Sequence, residues 1–334
     1  MNQGNQKSLL VPYLCLAFVC IVWGTTYLAL RVGVTQFPPF LFSMIRFLTA
    51  GPVLLAIVFL SGKATWPSRR TIFNQAVGGG LMLTLGISMV AWAEMYVSSG
   101  LAAIVCSLMP IWVILMNISI NKEERPNWPI VTGIFLGLTG IVLIFSEHLG
   151  EFSDAKYTFG IVLTFFANIS WALGSIWIKK KNENTNPFVN AGLQMFFGGL
   201  FLIPLSLAFD SYDKIQWSGA VATSLLYLIL VGSVAGYACY GYAIKKLPMT
   251  IVSLYAYINP IVAVLLGWLV LDEKLNAKIA VAILITVGGI YAVNKGYQLK
   301  KAATTGKDDE ITPRTTVADD AQKVKFGIVK TPMR

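Results

Sequence analysis

The sequence predicts an all-α integral membrane protein in which ten transmembrane helices form two inverted five-helix repeats around a central cavity. Three observations predict this fold class: the apolar composition, the length of the apolar segments and an internal duplication. Hydrophobic residues make up 56% of the 334 residues, charged residues only 13%, and the mean hydropathy is +0.67. Soluble domains carry about 25% charged residues, so this composition indicates a chain that folds in lipid.

Ten apolar segments can be drawn along the chain, and we number them 1 to 10. Each is about 20 residues long, which lets a helix span the ~30 Å hydrocarbon core of a bilayer. The segments are residues 9–30, 39–61, 71–95, 98–119, 128–146, 157–178, 188–209, 217–244, 249–271 and 277–295. Segment 1 is too long for the apolar part of a signal peptide and lacks a clear cleavage site, so we expect a retained helix.

The second half of the chain repeats features of the first half. Four pairs of residues correspond in order, the first two at an offset of 148 and the last two at 150: Trp23 with Trp171, Arg46 with Gln194, Pro110 with Pro260, and Glu123 with Glu273. Because five helices is an odd number, the second half must enter the membrane from the opposite side. The duplication therefore predicts inverted repeats, 9–147 and 157–296, with a translocation pathway between them.

Lysine and arginine are distributed unevenly between the two sides predicted for the loops. Fourteen fall on the side of the N-terminus and five on the other side. Cytoplasmic loops carry the excess of basic residues, so we expect both termini in the cytoplasm. These are a short N-terminal segment, 1–8, and a polar tail, 301–334, which is predicted to be disordered. The net charge of +10 thus indicates membrane orientation and not nucleic-acid binding.

Pro110 and Pro260 fall near the middle of segments 4 and 9. A proline inside a helix removes one backbone hydrogen bond and kinks the helix, and in lipid the freed carbonyl needs a protein or water partner. Corresponding helix breaks in both halves are typical of a solute site at the bilayer midplane. Kinks that serve packing alone are the alternative.

Aromatic and polar side chains share helical faces on segments 1, 6, 8 and 9. Residues three and four positions apart lie on one face, and polar groups in mid-membrane need partners, so we expect these faces to point inward. The candidate substrate-binding residues on them are Trp23, Thr26, Tyr27, Asn168, Trp171, Ser175, Tyr237, Tyr240, Tyr257 and Asn259. A cavity with aromatic walls and a few hydrogen-bonding groups suits small, partly apolar solutes. Packing against lipid is the alternative for any single ring.

Two charged residues fall within segments 2 and 3. Arg46 lies seven residues past Pro39, about 10 Å into the membrane, and Glu94 lies near the end of segment 3, close to Trp92. Charges at such depth are costly and usually functional. We therefore add Arg46, Trp92 and Glu94 to the candidate substrate-binding residues. Arg46 and Glu94 are expected to face one outer vestibule, either paired or binding a zwitterionic or anionic solute. A coupling proton on Glu94 and a structural salt bridge are alternatives.

The sequence offers no pattern for catalysis or metal binding. The four cysteines fall inside apolar segments, there is one histidine, and neither a nucleophile elbow nor a Walker-type phosphate loop occurs. We expect no metal, no cofactor, no enzymatic activity and no coupling to ATP within this chain. Glycines on one face of segment 5, Gly133, Gly137 and Gly140, favour packing within the chain over dimerisation. We expect a monomer or a weak homo-oligomer.

Motifs near both ends of the apolar region resemble a known family. The motifs Trp23-Gly24-Thr25-Thr26-Tyr27, Pro38-Pro39, Arg46-Phe47 and Ala50-Gly51 resemble the opening of EamA-family permeases, in the drug/metabolite transporter superfamily. Asn259-Pro260, Glu273 and Gly288-Gly289 resemble the ending of that family's second half. The resemblance covers residues 9–296. It implies two inverted repeats in which helices 1–4 and 6–9 line the cavity, with helices 5 and 10 as scaffold.

The resemblance implies a transporter but no particular substrate. With the paired helix breaks and the polar aromatic faces, we expect a secondary transporter that moves a small amino-acid-like or amphipathic metabolite, or a drug, across the bacterial cytoplasmic (inner) membrane by alternating access. We favour an exporter, with protons as a candidate coupling ion. An importer or facilitator of small metabolites is the alternative within transport. A membrane receptor or scaffold that transports nothing is the alternative from another class. The expected partners are a small-molecule substrate and the lipid bilayer, not nucleic acid.

Overall fold

The computed structural model describes residues 3–62, 64–120, 127–147, 153–181, 185–247, 252, 255–272 and 277–311. These residues form helices joined by short connections, and no strand occurs among them. We label the helices α1 Gln3–Val34, α2 Pro39–Leu60, α3 Arg69–Ala93, α4 Ser99–Cys106 with Met109–Ile120, α5 Trp128–Glu147, α6 Ala155–Lys181, α7 Pro187–Leu200 with Leu202–Phe209, α8 Gly219–Lys246, α9 Tyr255–Leu271 and α10 Ala277–Ile311.

Six of these helices, α1, α2, α3, α6, α7 and α8, are long and apolar enough to cross a membrane. The other four contain shorter apolar helices, namely Ser99–Val113, Trp128–Gly137, Ile258–Leu271 and Ala280–Val293. Large apolar side chains such as Leu60, Phe135 and Leu284 are exposed. Side chains of this kind suit contact with lipid tails rather than water. The chain is an all-helical, multi-pass membrane protein.

The helices begin where the sequence supplies start signals. Pro39 and Pro187 occupy the first positions of α2 and α7, where a missing N–H removes no helical hydrogen bond. The Oγ atoms of three serines accept a backbone N–H three residues later and cap α3, α4 and α8: Ser68, Ser98 and Ser218. These signals place most helix ends within a few residues of the predicted segments.

The helices at the chain ends extend beyond the predicted apolar segments. α1 begins at Gln3, before segment 1, and α10 continues to Ile311, past segment 10 and into the first part of the tail 301–334. Lysine and alanine at 300–303 are strong helix formers, so the helix continues past its apolar part. Residues 312–334 lie outside the described part of the chain.

The interruption of α4 also differs from the prediction. Pro110 was expected to kink a continuous helix, but α4 stops after Cys106 and restarts at Met109, so Pro110 lies in the first turn of a new helical segment. A proline at such a position breaks no hydrogen bond, because the first-turn N–H groups have no helical partner. Pro260 lies inside α9, as expected.

α3 and α8 each contain an eight-residue π-helical segment, Gly80–Ile87 and Leu228–Ala235. The two segments lie 148 residues apart, the same offset that relates Trp23 to Trp171. The π-helix is rare and frequently marks functional sites. Its appearance at equivalent positions extends the duplication from the sequence to the backbone.

The crossing of α2 and α7 repeats the same offset in its contacts. A Cβ atom on Gly51 would lie 2.6 Å from the backbone nitrogen of Phe196, and one on Gly199 would lie 2.9 Å from that of Leu48. Gly199 follows Gly51 by 148 residues, and Phe196 follows Leu48 by 148 residues. Each half thus gives the same two positions to the contact, a reciprocity that is typical of elements related by a two-fold axis.

Other helices also pack against helices of the opposite half. α1 packs against α8 and α9, whereas α6 packs against α3 and α4. α5 and α10 pack on each other, and a Cβ on Gly289 of α10 would lie 2.6 Å from the backbone nitrogen of Gly137. The glycine face predicted for segment 5 therefore packs within the chain, against α10.

Candidate functional site

A cavity of about 100 Å³ lies at the centre of the helices, and eight of them line it. The lining residues belong to α1, α2, α3, α4, α6, α7, α8 and α9; none of the described lining residues comes from α5 or α10. The two π-helical segments both reach the wall, through Gly86 and Ile87 of α3 and through Gly232 and Ser233 of α8.

The structure brings most of the predicted site residues together. Eight of them line the cavity: Trp23, Thr26, Tyr27, Arg46, Asn168, Trp171, Tyr237 and Asn259. Tyr240 lies behind this wall and lines a second, smaller cavity of about 20 Å³. Ser175 is buried beside it, with its Oγ atom 3.4 Å from the Tyr240 hydroxyl.

Two predicted residues lie away from the cavity wall. The ring of Trp92 packs among Phe40, Phe159 and Phe209, with centroid distances of 5.0–5.5 Å. Glu94 follows the last residue of α3 and is completely buried, so it faces no open vestibule. It lies within electrostatic range of Tyr27 and Cys106, which line the cavity. The structure thus assigns Glu94 to the interior behind the wall.

Tyr255 of α9, which was not among the predicted site residues, lines the cavity. Tyr255 shares a helical face with Asn259, four residues later, and this spacing is a signal that the sequence contains. The backbone of Tyr257 belongs to α9, and its side chain lies outside the described residues. Cys106 and Met109, beside the interruption of α4, are lining residues that no sequence pattern indicated.

An aromatic cluster centred on Trp23 forms part of the cavity wall. The centroid of the Trp23 ring lies 4.7 Å from that of Tyr240, 5.1 Å from Tyr255 and 5.6 Å from Trp171. The polar edges of both indoles have protein partners: Trp23 Nε1 donates to Gly232 O at 3.2 Å, and Trp171 Nε1 donates to the Tyr255 hydroxyl at 3.0 Å. Such bonds fix the rings and leave apolar surface toward the cavity.

Arg46 supplies the charge of the cavity. Its side chain is 4% exposed, and its Nε donates to Ser233 Oγ at 2.8 Å. The guanidinium carbon lies 5.0 Å from the centre of the Phe47 ring. Among the lining residues that the structure describes, Arg46 alone carries a formal charge at neutral pH. Its described partner is thus a hydroxyl on α8 and not Glu94.

Gln194, the position equivalent to Arg46, has a different environment. It accepts a 2.7 Å hydrogen bond from the Tyr237 hydroxyl and donates to Gln75 Oε1. It lines the second cavity with Tyr237, which lines both cavities. The first half thus places a cation at the central cavity, whereas the second half places a neutral amide network beside it.

Two lining asparagines join helices across the cavity wall. Asn168 Nδ2 donates to Val105 O at 2.8 Å and joins α6 to α4. With its amide oriented so that the nitrogen donates, Asn259 bonds Cys20 O at 2.9 Å and Tyr255 O at 3.0 Å, which joins α9 to α1. Both amides therefore hold the wall together as well as facing the cavity.

The described residues contain no group of three or more His, Cys, Asp or Glu side chains that could hold a metal ion. Together the fold and the cavity define a multi-pass helical membrane protein with a solute-sized internal site. The profile of the EamA-like transporter family matches residues 10–146 and 158–295. The chain belongs to this family of membrane transporters.

Two curated relatives are similar to the chain in sequence, and one solved structure is similar to it in fold. The uncharacterized inner membrane transporter YedA of Escherichia coli K12 is 32% identical over 296 residues, which cover 88% of this chain and 94% of YedA. Protein PecM of Dickeya dadantii is 27% identical over 274 residues, covering 81% of this chain and 88% of PecM. A crystal structure with 20% identity shares the fold, with a TM-score of 0.63 over 84% of this chain and 95% of that chain.

Proposed function

We propose that this chain is a secondary transporter that moves a small amphipathic metabolite by alternating access between two inverted five-helix repeats. The observation that carries the proposal is the central cavity, because eight helices from both halves line it and Trp23 and Trp171 meet within it. A solute held between two halves is exposed to either side when the halves tilt.

The backbone supports the inverted repeat. The π-helical segments of α3 and α8 and the reciprocal contacts of Gly51 and Gly199 all follow the offset of 148. α5 and α10 contact each other and supply no described lining residue, which suits a scaffold. With four helices lining per half, both halves contribute equally to the wall.

The second cavity supports a route through the chain. Tyr237 lines both cavities, and its hydroxyl is bonded to Gln194 on the side of the smaller one. We propose that the aromatic cluster is the closed side of the pathway, and that the solute passes when Tyr237 leaves Gln194. A scaffold or receptor would not need two cavities that share one side chain.

The membrane and the direction of transport are proposed from the name of a relative and from the distribution of basic residues. The name of YedA places that relative in an inner membrane, and the Lys and Arg distribution favours cytoplasmic termini here. We propose the bacterial inner membrane, with export as the direction. A buried carboxylate such as Glu94, close to Tyr27 and Cys106, suits a proton-coupled cycle.

The test is flux in proteoliposomes that contain the purified chain. Labelled amino acids and small aromatic metabolites are offered with and without a pH gradient, against protein-free vesicles. We expect saturable flux of at least one solute, and its loss in Trp171→Ala but not in Trp66→Phe, since Trp66 is 75% exposed and is not a lining residue of the cavity. Absence of protein-dependent flux for all solutes under every gradient would favour a receptor or scaffold. An unchanged rate in Glu94→Gln under a pH gradient would refute proton coupling through this residue.

A further inference from the structure

We propose that the central cavity selects an organic monoanion, a carboxylate carried on one flat apolar body, and that Arg46 binds the carboxylate. This inference rests on the proposed transport function and adds the charge class of the solute. It states that the solute is an anion and not a zwitterion, a distinction that an aromatic wall alone would not make.

The first step is the charge balance of the cavity. Arg46 lies within the transmembrane part of α2, and no Asp or Glu occurs among the described residues that line the cavity. A cation at membrane depth is costly unless a negative group compensates it. A bound anion supplies that group each time the cavity is filled, so binding is favoured for anions over neutral or cationic solutes.

The second step is the availability of donors. A guanidinium has five N–H donors in a planar fork that matches a carboxylate. The described bond from Nε to Ser233 Oγ uses one of them. The Nη2 atom lies at the wall beside Gly232, where a Cβ atom would be 3.4 Å away. The missing side chain at Gly232 thus keeps space for the guanidinium at the cavity surface.

The third step is the orientation of the guanidinium. Ser233 holds Nε from α8, and the ring of Phe47 lies 5.0 Å from the guanidinium carbon. A charged group held by a hydrogen bond and a ring contact loses little conformational freedom when a ligand binds, so it is preorganised for recognition. Lysine at this position would carry the charge without the planar fork.

The fourth step is the rest of the wall. The neutral donors near the aromatic cluster are bonded within the protein: Trp23 to Gly232 O, Trp171 to Tyr255, Tyr237 to Gln194 and Asn168 to Val105 O. The three aromatic residues among them, Trp23, Trp171 and Tyr237, present ring surface to a solute, which suits an apolar body. The ammonium group of a zwitterion would find no carboxylate among the described lining residues. Its hydration would be lost without an ion partner, so the zwitterion should bind more weakly than the anion.

The test uses four probes with a similar phenylalkyl skeleton and different charge. These are 3-phenylpropanoate, phenylalanine, 3-phenylpropan-1-ol and 2-phenylethylamine, titrated at pH 7 against the purified full chain in nanodiscs. We expect 3-phenylpropanoate to bind about tenfold or more tightly than each of the other three, the usual scale of one charge-assisted pair. Equal or tighter binding of phenylalanine, the alcohol or the amine would overturn the proposal without any variant.

Variants then assign the preference to Arg46. Arg46→Gln, which introduces the residue of the equivalent position, should reduce 3-phenylpropanoate affinity about tenfold and leave the alcohol unchanged. Arg46→Lys should retain part of the preference. Arg69→Gln is the matched control, because Arg69 is exposed at the start of α3. An unchanged preference in Arg46→Gln would overturn the proposal.

Flux measurements separate this inference from the transport proposal. Saturable flux of phenylalanine without flux of 3-phenylpropanoate above protein-free vesicles would refute the monoanion and leave transport standing. Tight, Arg46-dependent binding of 3-phenylpropanoate without flux of any probe would support the site and refute transport.

Discussion

Trp23 and Trp171 occupy equivalent positions of the two halves, and their rings meet edge to face with centroids 5.6 Å apart and an interplanar angle of 86°. Edge-to-face contact is a favoured geometry for aromatic pairs. Each indole also bonds the second half of the chain, Trp23 through Gly232 on α8 and Trp171 through Tyr255 on α9. The two tryptophans that correspond in the repeat are therefore in contact with each other at the wall of the central cavity.

Truncation of this pair should disable solute binding. Trp23→Ala and Trp171→Ala each remove a ring from the wall, and we expect affinity for any transported aromatic probe to fall about tenfold or more, as for anchoring aromatics at interfaces. Trp23→Phe should have a smaller effect, because it keeps a ring but loses the Nε1 bond to Gly232 O. Titration of purified variants checks this, with Trp66→Phe as the control. Wild-type affinity in both alanine variants would contradict the site.

The contacts between α2 and α7 predict that equivalent substitutions in the two halves each lower the stability of the fold. A Cβ at Gly51 or Gly199 would approach a backbone nitrogen to 2.6 or 2.9 Å, so Gly51→Ala and Gly199→Ala should each cost about 1–3 kcal/mol by overpacking. Thermal unfolding in detergent measures the loss. Gly219→Ala is the control, since nothing lies within 4 Å of its Cβ position. If only one of the two crossing variants lost stability, the contacts would not be equivalent.

Two adjacent glycines of α10 make a sharper comparison. A Cβ on Gly289 would lie 2.6 Å from Gly137 N and 2.7 Å from Gly133 O, whereas nothing lies within 4 Å of a Cβ on Gly288. Gly289→Ala should lower the melting temperature, and Gly288→Ala should leave it unchanged or raise it, because alanine favours the helix by about 0.5–1 kcal/mol. Equal melting temperatures would show that α5 and α10 do not cross at this glycine.

Asp210, just beyond the end of α7, predicts a pH-dependent effect outside the membrane. Its carboxylate accepts from Leu41 N at 2.6 Å and Ser206 Oγ at 2.8 Å, and it caps the start of α2. Burial raises the pKa of Asp210 above its ordinary value of 3.8, although these hydrogen bonds act in the opposite direction. The folded state therefore holds the proton more tightly than the unfolded state.

It follows that the stability contribution of Asp210 is largest below pH 3.8 and declines as the pH rises through the raised pKa. The difference in melting temperature between the wild type and Asp210→Asn should fall as the pH is raised from below 3.8 through the raised pKa of Asp210. Asp213→Asn serves as the control, since Asp213 is exposed in the same connection. A wild-type advantage that grew with pH would mean that the hydrogen bonds outweigh burial.

Hydropathy and repetition were enough to predict the helices but not their details. Segment 39–61 became Pro39–Leu60, because a proline start and an apolar run are local signals. The π-helical segments were missed, since an apolar run has the same composition in either winding. Pro110 was misplaced because a proline pattern does not say whether the helix bends or restarts.

The site was predictable where periodicity applies and not where distant helices meet. The faces of α1, α6 and α8 were assigned by three- and four-residue spacing, and Trp23, Trp171 and Tyr237 line the cavity accordingly. The bond from Arg46 to Ser233 joins residues 187 positions apart, which no local pattern contains. Glu94 was expected to face an outer vestibule because it is a charged residue within an apolar segment. Its charge does not determine which way the side chain points, and the structure buries it.

The π-helical segments have a mechanical consequence. Each holds more residues per turn than an α-helix, so a return to α-helical winding would turn the following part of its helix by about 100° for each residue displaced. In α8 that part carries Tyr237, and in α3 it carries Val90, both on the cavity wall. A change of winding in two short segments of backbone, matched between the halves, would therefore re-aim two parts of the cavity wall without unfolding either helix.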